Sequence, residues 1–104
     1  MSVIVTIGVN GDPARFEAVA TGNAERIQGV MQRAIDNGLI GHRFYGAGER
    51  IMAVDEWPDA ESFQAFFGSV GEDVGFLMGE AGIASEPEAT VWRKLETGDD
   101  YGWD

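Results

Sequence analysis

The chain has 104 residues, 44% of them hydrophobic and 11% aromatic, so it forms one domain with a real core. Its formal net charge of -11 argues against nucleic acid or an anionic membrane surface, which require a basic face. It has no cysteine, which removes disulfides, thiolate catalysis and thiolate metal sites.

The N-terminal residues carry neither the basic start nor the long apolar core of a signal peptide, and no apolar run is long enough to span a bilayer. The expectation is a cytoplasmic protein. Ser2 to Val9 is β-branched almost throughout and reads as a strand apolar on both faces. Asn10-Gly11-Asp12-Pro13 closes it. Asp12 can cap a helix with Pro13 at its first position, and Gly22 breaks that helix. Asn23 offers a fresh cap for a helix over Ala24 to Asn37, where Ile27, Val30, Met31, Ala34 and Ile35 recur at helical spacing.

Leu39 to Ala47 and Arg50 to Trp57 form a hairpin, with Gly46-Ala47-Gly48 as the glycine-bearing connection. Pro58 starts a helix through Gly68, striped by Phe63, Phe66 and Phe67. Val70, Val74, Leu77 and Met78 predict another short helix within Ser69 to Ala81. A last strand covers Ala89 to Leu95. Residues 1–95 are then the domain, and residues 96–104 an acidic, aromatic tail around Tyr101 and Trp103.

This order is the βαββαβ plan of a ferredoxin-like α+β fold: a four-stranded antiparallel sheet with helices on one face. The other face would expose Ile4, Met52 and Val54, a large apolar patch for a monomer. Sheet-to-sheet packing in a homodimer would cover it, giving a dimeric α/β barrel.

With that order and the run Asp55-Glu56-Trp57-Pro58-Asp59-Ala60-Glu61-Ser62-Phe63-Gln64-Ala65-Phe66-Phe67, the chain resembles the dimeric α/β-barrel superfamily. Within it, the resemblance is to antibiotic-biosynthesis-monooxygenase-like proteins, which carry a tryptophan at the end of the third strand; Trp57 matches it. The resemblance implies a small pocket between sheet and helices. It also implies candidate activities: cofactor-independent oxygenation of aromatic or polyketide-like molecules, haem degradation, isomerisation or cyclisation. Haem-degrading members place a histidine on the second helix where this chain has Phe66-Phe67. No cofactor and no metal is expected.

His42 is the only histidine and the one side chain that ordinarily titrates near neutrality. Strand alternation puts it on one face with Phe44, and Arg43 with Tyr45 on the other. It could act as general base on a phenol or enol, or be a packed strand residue. Trp57 could stack on a planar ligand or fill the core, and Tyr45 could bond a ligand oxygen or sit at an interface. The candidate catalytic set is His42, Trp57 and Tyr45. The candidate ligand contacts are Asn10, Arg43, Phe63, Phe67 and Met31. Trp92, Phe76 and Met78 read as core. Asp55, Glu56, Asp59 and Glu61 read as a solvated acidic rim rather than a cation site, with Asp59 or Glu61 favouring a helix N-terminus. Two functions stay open: a cofactor-independent monooxygenase, with a small aromatic ligand as partner, or a non-catalytic dimer that binds a ligand or another protein.

Overall fold

The computed structural model describes residues 1–103; Asp104, the last residue of the expected tail, lies outside the described residues. Its elements are β1 (Val3–Asn10), α1 (Pro13–Gly22), α2 (Ala24–Asp36), β2 (Gly41–Ala47), β3 (Arg50–Trp57), α3 (Ala60–Ser69), α4 (Gly71–Glu80) and β4 (Glu88–Arg93). The strands form one antiparallel sheet in the order β2-β3-β1-β4. The α+β ferredoxin-like plan is therefore present, with each crossover built from two helices. No helix among the described residues is long and apolar enough to cross a membrane.

Local chemistry sets the boundaries. The Asp12 carboxylate accepts from the Ala14 N–H at 3.0 Å and Pro13 opens α1, as the sequence predicts. Asn23 departs from expectation. Its side chain makes no N-cap bond to α2; Nδ2 donates to the Val19 carbonyl at 2.8 Å, so the residue closes α1. The N-cap of α3 is Asp59, which accepts from the Ser62 N–H at 2.8 Å, so the helix begins after Pro58 rather than at it. That bond holds the Asp59 carboxyl below the usual range.

The hairpin loop is tighter than the sequence suggested. Ala47 pairs with Arg50, leaving Gly48-Glu49 as a two-residue turn. Gly48 has φ of 58°, the glycine-favouring sign at the first central position of a type II′ turn. Gly46 belongs to β2 and is small for another reason. A Cβ there would lie 2.7 Å from Cβ of Pro13, so α1 rests directly on the strand backbone.

The helices cover one sheet face. In β3 the burial alternates, with Ile51, Ala53, Asp55 and Trp57 buried beneath them. Two apolar clusters result. One gathers Val5, Ala34, Trp57, Phe63, Phe66 and Val70; the other centres on Ile51, Ala81 and Ile83. Outside the layer, Asp73 of α4 accepts from Arg26 at 2.8 Å and Arg33 at 3.4 Å, tying α4 to α2. Arg26 also lies 4.1 Å over the Phe76 ring, and Phe76 is exposed rather than core.

The opposite sheet face is bare. Ile4, Tyr45, Met52 and Trp92 are each 40–53% exposed on it. Trp92, read as core from the sequence, donates instead to the Thr6 hydroxyl at 2.8 Å across this outer surface. β1 is thus buried on one face only in a single chain, because four helices suffice to cover one side of the sheet.

Candidate functional site

Between the two apolar clusters lies a cavity of about 140 Å³. Its wall takes Ile7 from β1, Phe44 from β2, Ala53 from β3, Met31 from α2, Phe67 from α3 and Met78 from α4. Among the described residues only two polar side chains reach that wall, His42 and Asp55.

The sheet register puts those two together. His42 on β2 lies directly across from Asp55 on β3, where cross-strand side chains on one face approach to about 5 Å. His42 Nδ1 is 2.6 Å from Asp55 Oδ1. Two residues along β3, on the same face, Trp57 Nε1–H donates to Asp55 Oδ2 at 3.2 Å. Asp55 is 4% exposed, so burial demands partners for its oxygens, and both have one. An ionised carboxylate can only accept, so against one Nδ1 carries the hydrogen, and a ring in its neutral form then keeps its lone pair on Nε2. Nε2 has no hydrogen-bond partner among the described residues and is not sealed from solvent-sized space. The Phe44 ring meets the imidazole edge to face, with centroids 4.9 Å apart, and fixes its plane.

The sequence-derived residues divide sharply by place. His42, Met31 and Phe67 line the cavity. Trp57 is fully buried one step behind it, packed on Phe66 at 5.3 Å and Phe63 at 6.0 Å between centroids, so it meets Asp55 rather than open space. Phe63 lies in that same packed cluster, stacked on Phe67. Tyr45 and Arg43 stand on the bare outer face, where the guanidinium lies 3.4 Å from the phenol oxygen. Asn10 is exposed at the end of β1, its backbone N–H donating to Ser85. These three are off the cavity because strand alternation, and for Asn10 the strand end, turns them from the helices.

The residue missed is Asp55. Its sequence neighbours mark it as part of a solvated rim, and in the structure it is instead the buried hub of the network. Counting register back from a two-residue turn would have found it. With Ala47 opposite Arg50, position 42 must face position 55.

No protein-family model matches the chain, and no curated protein matches it in sequence. Solved structures do match. A dimeric ferredoxin-like protein from an uncultured marine organism superposes with a TM-score of 0.67 at 14% identity, covering 99% of this chain and 93% of that one. A monooxygenase from Streptomyces coelicolor, solved with nanaomycin D, gives 0.66 at 14% identity over 92% of this chain and 89% of its own. A Bordetella bronchiseptica protein provisionally named an antibiotic biosynthesis monooxygenase gives 0.65 at 17% identity, over 91% and 98%. At such identities the likeness is one of architecture: the chain has the ferredoxin-like α+β fold that antibiotic-biosynthesis-monooxygenase-like proteins share.

Proposed function

We propose that this chain is a cofactor-independent monooxygenase acting on a small phenolic or enolic substrate of aromatic or polyketide-like type. The observation that carries the reading is the chain of hydrogen bonds Trp57–Asp55–His42, which ends at a histidine that lines an apolar cavity and whose Nε2 has no partner among the described residues. In this reading His42 is the general base and Asp55 its positioning residue. Nε2 takes the substrate O–H proton, and the electron pair stays on the substrate as a phenolate or enolate. The electron-rich anion then reduces dioxygen. For a phenol oxidised to a quinone, one oxygen atom enters the ring, the other leaves as water, and the substrate supplies all four electrons. The apolar wall keeps water from the anion.

Oxygen uptake tests this. With phenolic and enolic aromatics in air-saturated buffer, the wild-type chain is expected to consume oxygen, and His42→Gln to lose at least a hundredfold in rate. Undiminished uptake in His42→Gln would contradict the assignment.

We also propose that two copies pack through their bare sheet faces. The support is the exposed row Ile4, Tyr45, Met52 and Trp92, together with the dimeric neighbour of the same fold. Val54 sits within that face. Light scattering is expected to give the mass of two chains for the wild type and of one for Val54→Asp. A wild-type mass of one chain would contradict the packing.

A further inference from the structure

The cavity wall specifies more than a reaction type. We infer that the site selects an uncharged, single-ring ligand bearing one weakly acidic hydroxyl, and rejects both carboxylates and fused polycyclic bodies. The inference rests on the reading of His42 as the proton acceptor and narrows its substrate.

Charge is the first argument. Among the described residues no lysine or arginine lines the cavity. The one ionisable pair there is His42 and Asp55, and both Asp55 oxygens are already occupied by His42 and Trp57. A ligand carboxylate would bring a second negative charge into an apolar hollow beside Asp55, with no cation provided for it. Burying such a charge unpaired is strongly unfavourable. The net charge of -11 on the whole chain adds to the repulsion. A neutral hydroxyl meets no such penalty. When its O–H bond breaks and an Nε2–H bond forms, the imidazolium lies between two anions, and the total charge of the site is unchanged.

Polar capacity is the second argument. Of the polar atoms on the two lining side chains His42 and Asp55, Nε2 alone has no partner among the described residues, so the site can satisfy one ligand hydroxyl. A ligand with a second hydroxyl or an amine would leave that donor unpaired, at a cost.

Size is the third. The volume is about 140 Å³, close to that of an engineered apolar cavity of about 150 Å³ that holds benzene. One ring with small apolar substituents fits. Three fused rings exceed it and would have to extend past Phe67 and Met78 into the adjoining hollow of about 420 Å³ that shares those residues and carries the Glu86 carboxylate. Met31 and Met78 on opposite helices give the wall some adaptability, enough for a substituent rather than another ring.

Three ligands of matched chemistry test the inference with the full chain. They are 4-nitrophenol, whose anion absorbs visible light; 4-nitrobenzoate, a permanent anion of similar size; and 1-hydroxyanthraquinone, a three-ring phenol. By titration calorimetry, 4-nitrophenol is expected to bind at least tenfold more tightly than either of the others. Binding should also raise the phenolate band under conditions where the free dye is mostly neutral, and His42→Gln should abolish that rise. Equal or tighter binding of the benzoate or of the anthraquinone overturns the inference, as does the absence of saturable binding by 4-nitrophenol. Selective 4-nitrophenol binding without a band change would uphold the selectivity and sink the general-base reading alone.

Discussion

Replacing Trp57 by alanine is expected to cost most of the stability of this domain. The side chain is fully buried and wedged against Phe63 and Phe66. Large aromatic-to-alanine changes in cores cost about 3–5 kcal/mol, because the hollow left behind only partly collapses. Here a second effect adds to the first. The lost indole N–H leaves Asp55 Oδ2 buried without its donor, a defect of about 1–3 kcal/mol. Small domains hold only about 5–15 kcal/mol in all. Urea unfolding followed by circular dichroism should place the Trp57→Ala midpoint far below the wild type, or show the variant unfolded in water. Trp57→Phe keeps most of the packing and removes the donor, so it should fall between. A midpoint for Trp57→Ala close to the wild type would mean that this residue is not the keystone of the larger cluster.

That role for Trp57 was half legible in the sequence. A tryptophan at the end of an alternating apolar strand, followed by a phenylalanine-striped helix, announces a core contact. The fold was legible for the same reason: β-branched runs, the Asp12-Pro13 start and the Phe63-Phe66-Phe67 stripe each agree with the architecture formed. What stayed hidden depends on pairing between segments. Asp55 looks solvated because Glu56, Asp59 and Glu61 surround it in sequence, yet strand alternation sends Asp55 inward, while Asp59, past the strand end, caps α3 at the surface. The turn decides which residue meets His42. Taking Gly46-Ala47-Gly48 as the loop obscures the register, and Gly48-Glu49 fixes it. Trp92 was hidden by a different cause. It stands opposite Ile4 on the sheet face away from the helices, so its apolar ring faces outward.

The second large effect is expected at Asp55. In Asp55→Leu, His42 Nδ1 and Trp57 Nε1 both lose their acceptor inside the fold. A donor left without its acceptor in the interior costs about 1–3 kcal/mol, and urea unfolding should register at least one such loss, at the fully buried Trp57. Asp55→Asn separates stability from chemistry. The amide can still accept from Trp57 through its oxygen, while its NH₂ donates to Nδ1 and drives the imidazole hydrogen onto Nε2. The fold should survive with a smaller loss, and proton abstraction should fall at least a hundredfold, because Nε2 no longer presents a lone pair. If Asp55→Leu were as stable as the wild type, the carboxylate would not be the hub that its burial indicates.

Everything proposed for this cavity depends on which imidazole nitrogen carries the hydrogen. The chain has one histidine, so the ¹⁵N spectrum of its ring is unambiguous. Recorded where the ring is neutral, it should show hydrogen on Nδ1 and a bare Nε2 in the wild type, reversed in Asp55→Asn. A wild-type ring protonated at Nε2 would contradict the account: His42 would then offer a donor, not a base, to whatever enters.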